Sequence, residues 1–78
     1  MAKVIEYDLN KLRGRIVEVF KTQKAFAEAL GVSERTMVLK LSGERYFTLP
    51  EIEEAAKLLK IAEADIQEYF FTQKVQKS

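Results

Sequence analysis

The stretch from Thr22 to Gly43, TQKAFAEALGVSERTMVLKLSG, constrains this chain most, because it carries two complete sets of helix start and stop signals in close succession. Thr22 is placed to N-cap a first helix with Phe26, Ala29 and Leu30 on one side, since residues three and four apart share a helix face. Gly31 closes that helix with a left-handed backbone, and Val32 plugs the inside of the turn. Ser33 caps the next helix, with Thr36 three residues on and Glu34 near the positive end of the helix dipole. Gly43 ends it. Two short helices joined this tightly form a helix-turn-helix pattern, whose second helix ordinarily enters a DNA major groove.

The flanking segments read as support for that unit. Val4, Ile5 and Tyr7 favour a short strand within residues 1–7. Asp8 is a good N-cap, and Leu9, Leu12, Ile16 and Val19 or Phe20 follow at helical spacing. Gly14 in the middle of this helix marks either a close backbone approach or a merely tolerated glycine. After an exposed GERYF connection, Thr48 and Glu51 have capping-box spacing with Pro50 in the first turn. Ile52, Ala55, Ala56 and Leu59 then form an inward stripe opposed by Glu53, Glu54 and Lys57. Asp65, Ile66, Tyr69 and Phe70 predict a short fifth helix. The tail from Phe71 to Ser78 is open: a strand paired with residues 3–7, an arm reaching a second subunit, or no fixed structure. The expected fold is a compact all-α domain of five helices with short terminal β-strands as an option.

Composition narrows function further. Seventy-eight residues are read as one small domain, which buries only about 60% of its unfolded surface and needs a dense core. Cys and His are both absent, which removes thiol nucleophiles, disulfides, the commonest zinc ligands and the usual acid–base residue. The carboxylates fall on helix faces instead of converging, and no glycine loop is shaped for phosphates, so an enzyme is not expected. No metal, cofactor, membrane or small-molecule substrate is expected either, a small-molecule pocket being doubtful in so few residues. With no apolar run long enough to span a bilayer and no signal-peptide core, a cytoplasmic protein is the default.

The net charge of +1 conceals an asymmetry. Residues 11–47 carry eight Lys and Arg against four Glu, a net of +4. Residues 48–70 carry two Lys against six acidic residues, a net of −4. An anionic ligand such as DNA is expected on the helix-turn-helix side.

From Gln23 through Leu41 the sequence resembles the Cro/repressor type of helix-turn-helix, with Gln23 opening the first helix, small Ala27 inside it, Gly31 in the turn and the Ser33 cap. The runs LKLSGERYFTLPEIEEAAKLLKI and EYFFTQKV are similar to small phage and prophage repressor or Cro-like proteins of Gram-positive bacteria. The resemblance covers about Leu9 to Val75. It implies a transcriptional regulator that binds double-stranded DNA as a homodimer on a palindromic operator. It also implies that Gln23 binds a backbone phosphate, a role the free N–H groups of a helix start would support.

Within the second helix of the motif, Met37 and Leu41 point inward, leaving Arg35, Thr36, Val38, Leu39 and Ser42 outward. Arg35 is the leading base contact, able to pair with guanine O6 and N7. Val38 and Leu39 either meet thymine methyl groups or pack against neighbouring helices. Glu34 either accepts from cytosine N4 or complements the dipole. Candidate phosphate contacts are Thr22, Gln23, Lys24, Ser33, Ser42, Arg45, Arg13 and Lys40; Lys40 stands where many relatives keep an apolar core residue. Tyr69, Phe70, Phe71 and Val75 are the candidate dimer surface. The competing reading is a protein-binding module, antitoxin-like or anti-repressor-like, that keeps the fold without binding DNA.

Overall fold

The computed structural model describes residues 6–74 of the chain. Five α-helices run in the order α1 (Asn10–Phe20), α2 (Gln23–Leu30), α3 (Glu34–Leu41), α4 (Leu49–Leu58) and α5 (Ile66–Phe70), with a 3-10 turn at Glu63–Asp65 leading into α5. Each of the two motif helices starts where its cap residue directs. Thr22 Oγ1 accepts from the Ala25 N–H at 3.1 Å, and Ser33 Oγ accepts from the Thr36 N–H at 3.0 Å. Gly31 takes φ +86° and donates its N–H to the Ala27 carbonyl, so α2 ends as expected. The capping box of α4 is closed in both directions between Thr48 and Glu51.

The start of α1 departs from expectation. Asp8 does not occupy the N-cap position, which falls to Leu9 without a side-chain cap, although Asp8 Oδ1 accepts from the Asn10 N–H at 2.9 Å. Asp8 is held instead by its own backbone, whose N–H donates to the Thr72 carbonyl at 2.6 Å. Together with the Lys74 N–H donating to the Glu6 carbonyl, this makes one antiparallel bridge between Tyr7 and Gln73. The anticipated pairing of the two ends is therefore present as a bridge, and no strand forms among the described residues. Val4, Ile5 and Val75 lie outside them.

α2 is central, packing against α1, α3 and α4, while α5 closes the far side against α1 and α4. Phe26 of α2 is fully buried in one cluster with Leu12 and Ile16 of α1, Met37 of α3 and Leu59 at the end of α4. Side chains of that size each contribute about 1.5–3 kcal/mol on full burial, so this one cluster joins four helices without a disulfide. The inward positions read from periodicity, Met37 and Leu41 in α3 and Ile52, Ala55, Ala56 and Leu59 near α4, are all buried.

α1 also ties the molecule together through its polar side. Arg13 Nη2 donates to the Leu41 carbonyl at 2.8 Å, and Arg15 Nε donates to the Leu59 carbonyl at 2.8 Å. These are the last carbonyls of α3 and α4, which have no partner within their own helices. Cations at helix C-termini also complement the dipole. Lys11 completes the row by pairing with Glu68 and lying 4.7 Å above the Tyr69 ring.

Gly14 turns its Cα toward open space: a Cβ built there meets nothing within 4 Å. Of the two readings open in the sequence, tolerance is the correct one. Replacing Gly14 with Ala should raise stability by about 0.5–1 kcal/mol, the helix-interior cost of glycine, with no change in fold. Urea denaturation followed by circular dichroism measures this; a destabilised variant would show a contact that the structure lacks.

Candidate functional site

The outward side of α3 is uncovered. Glu34, Arg35, Val38 and Ser42 are exposed, Val38 at 49% of its full surface. Leu39 is half-buried and stays outside the core cluster, whereas Val38 is exposed. Ser33 Oγ also donates to Thr36 Oγ1 at 2.9 Å, which fixes the amino end of α3. Glu34 sits in the first turn beside the free N–H groups, and Arg35 follows with no side-chain partner among the described residues. Thr22, Lys24 and Arg45 are exposed and Gln23 is half-buried, all on segments next to α3.

Two expected site residues are corrected. Lys40 does not reach outward to a phosphate. It is only 6% exposed, and its ammonium donates to Glu51 Oε1 at 2.7 Å and to the Tyr46 carbonyl at 3.1 Å, 5.6 Å from the Phe47 ring centre. The physical reason is its register: Lys40 follows Met37 by three residues and precedes Leu41, which places it on the buried stripe where only a paired charge is tolerated. Phe70 is not a dimer surface either. It is 3% exposed and stands edge-on to Phe47 at 5.4 Å, closing the core. Arg13, a third candidate for phosphate, is exposed along its stem while its guanidinium is committed to the Leu41 carbonyl. Tyr69 is half-buried beneath Lys11, Phe71 remains exposed at 39%, and Val75 lies outside the described residues.

These commitments change the electrostatics of the face. Of the eight cations in residues 11–47, Lys11, Arg13, Arg15 and Lys40 are engaged within the protein. Lys21, Lys24, Arg35 and Arg45 remain, and Arg13 keeps its charge because its partner is a neutral carbonyl, against Glu28, Glu34 and Glu44. Five cations against three carboxylates leave the segment a surface surplus of +2, half of the +4 counted from its sequence.

The pair that removes Lys40 was invisible as a pair in the sequence. Glu51 is recognisable as a capping residue, and its Oε1 does accept from the Thr48 N–H at 2.9 Å, but the same oxygen also takes the Lys40 ammonium. A lysine at an apolar register position was the available signal. Burial alone would raise the Glu51 pKa; the hydrogen bonds from Lys40 and the Thr48 backbone, with the Lys40 charge, outweigh it and hold the carboxyl below its ordinary value.

No helix of the described residues is long and apolar enough to cross a membrane, and no cluster of metal-ligating side chains occurs among them. Fold and site together define a small all-α helix-turn-helix domain with an uncovered second helix. Residues 5–73 match the family described as protein of unknown function (DUF739). The fold is similar to the solution structure of the modulator of repression (MOR) of the temperate bacteriophage TP901-1 from Lactococcus lactis, at 42% sequence identity and a TM-score of 0.76, covering 91% of this chain and 96% of that one. A comparison with curated proteins found no match. The chain belongs to the DUF739 family.

Because the folded-state pKa of Glu51 is depressed, its stabilising contribution is complete at neutral pH. It is lost as the pH falls below the ordinary glutamate value of about 4.3 and through the lower folded-state value. Glu51→Gln should therefore cost roughly 1–2 kcal/mol at pH 7, the scale of a charge-assisted hydrogen bond, and progressively less in acid. Chemical denaturation of both forms between pH 7 and pH 3 reads this directly; a pH-independent difference would contradict the assignment.

Proposed function

We propose that this chain is a small phage-type regulatory protein that modulates repression by docking the uncovered side of α3 onto a protein partner, a DNA-binding repressor. The observation that carries this reading is the exposed Val38 on α3, an apolar side chain open to solvent between the exposed Arg35 and Ser42 of the same segment. Affinity for duplex DNA rests on cations neutralising phosphates, and three of the eight cations in residues 11–47 are already paired with carboxylates. A protein surface with an apolar socket and alternating charges is the better complement. The relative of known structure is a modulator of repression in a temperate phage, and modulation of a repressor is a task that protein contact performs.

A second reading keeps α3 in the major groove of a palindromic operator, with the chain acting as a homodimeric repressor or Cro-like regulator. The unpartnered Arg35 beside an open helix start supports it, since that position suits a bidentate pair with guanine. Thr22, Gln23, Lys24, Ser33, Ser42 and Arg45 would then track the backbone, and Phe71 with Tyr69 and Val75 would join the subunits. Either reading implies a cytoplasmic protein, where repressor and operator meet.

The two readings differ in one gel-shift experiment. On the first, the chain alone leaves random duplex DNA unshifted at low salt, while adding it to the phage repressor on its operator changes the retained fraction; Val38→Glu weakens that effect at least about 10-fold, the scale of losing a buried interface residue. On the second, the chain alone selects a palindrome, Arg35→Ala relaxes the selected sequence, and Lys24→Ala weakens all sequences while flattening the salt dependence. Selection of a palindrome by the chain alone would overturn the first reading.

A further inference from the structure

We infer that the cavity behind the connection from α3 to α4 is a binding site for a small aromatic carboxylate. The cavity has a volume of about 460 Å³ and lies between the Gly43–Phe47 connection, the Tyr7–Leu9 segment, Ile52 of α4 and the Phe70–Phe71 end of α5. That volume falls within the range of pockets that hold small ligands, which are mostly apolar with a few convergent polar groups. Its walls are rings held apart by one another. Tyr7 meets Tyr46 edge-on at 6.1 Å and Phe71 edge-on at 5.7 Å, while Phe47 meets Phe70 edge-on at 5.4 Å. Edge-to-face pairs leave ring faces available, and a planar aromatic ligand offers the edge that such faces attract.

The connection cannot fall inward to fill this space, because Lys40 holds the Tyr46 carbonyl from below and the Glu44 and Arg45 N–H groups both donate to the Leu39 carbonyl. Two cations line the cavity, and only one is available. The Lys40 ammonium is satisfied by Glu51 and Tyr46, whereas the Arg45 guanidinium has no partner among the described residues. A guanidinium at the mouth of an aromatic cavity selects a carboxylate, which it binds through two parallel hydrogen bonds. The site lies beside the C-terminus of α3 and uses none of its outward side chains, so it stands independently of the docking reading above.

The probe is 3-phenylpropionate, with its neutral amide, 3-phenylpropionamide, as the uncharged match, titrated into 15N-labelled full-length protein and followed by amide chemical shifts. The acid should give saturable shifts at Gly43, Arg45, Tyr46 and Phe71. The amide should bind about 10-fold more weakly, and Arg45→Gln should bring the acid down to the level of the amide. Arg45 is exposed and unpaired, so that variant keeps its fold, which its own spectrum verifies. Absence of saturable shifts at these residues, equal binding of acid and amide, or an unchanged affinity in Arg45→Gln would each overturn the proposal. Val38→Glu should bind the acid as the parent does, so failure of the docking reading would leave this result intact.

Discussion

The contact between Lys40 and Glu51 governs more of this molecule than any other polar interaction. A buried ammonium is costly to desolvate, and removing either partner would leave the other charge stranded. The pair is tolerated because every element around it supplies something: α4 contributes the carboxylate, the connection contributes the Tyr46 carbonyl, and the capping box fixes the carboxylate from its other side. Glu51 is thus at once the N-terminal anchor of α4 and the counter-ion of α3. One oxygen atom, shared between those two tasks, joins α3 to α4.

The same economy appears in α1. A small domain with no disulfide must satisfy the orphan carbonyls at its helix ends with what side chains it has. Arg13 and Arg15, on opposite sides of α1, reach the ends of α3 and α4, and Arg15 adds an ion pair to Glu18 at 2.8 Å. Exposed pairs of this kind contribute little on their own. Their effect is geometric, because two arginines two residues apart reach the C-termini of two different helices. The electrostatic outcome differs between them: Arg15 is paired with Glu18, whereas Arg13, bonded to a neutral carbonyl, keeps its charge.

Local signals were legible in the sequence and long-range ones were not. Thr22, Gly31, Ser33 and the Thr48–Glu51 box all act within three or four residues, so their structural consequences could be read directly. Met37 and Leu41, with the α4 stripe, followed from periodicity for the same reason. Lys40 was legible as an anomaly, but its partner lies in another helix and no spacing rule finds it. Arg13 and Arg15 reach across 28 and 44 residues of sequence to backbone carbonyls, partners that no spacing rule finds. Asp8 failed as a cap because its backbone was claimed by Thr72, a partner that only the closed fold brings near.

Such long-range partnering bears on how charge should be counted in domains of this size. The formal net charge of residues 11–47 treats each Lys and Arg as a surface charge, yet a chain this short has few residues with which to end its helices. Cations long enough to reach a neighbouring helix end are therefore drawn into structural use first. What remains outward is decided by reach and not by total: Arg35 of α3 and Lys24 of α2 stay exposed, as do Glu34 and Glu28 on the same two helices. A two-helix unit kept open with a smaller positive surplus than its sequence count keeps its shape while its long-range attraction for any polyanion is weakened in proportion. Short-range contacts at exposed side chains such as Val38 then carry a larger share of what that surface can recognise.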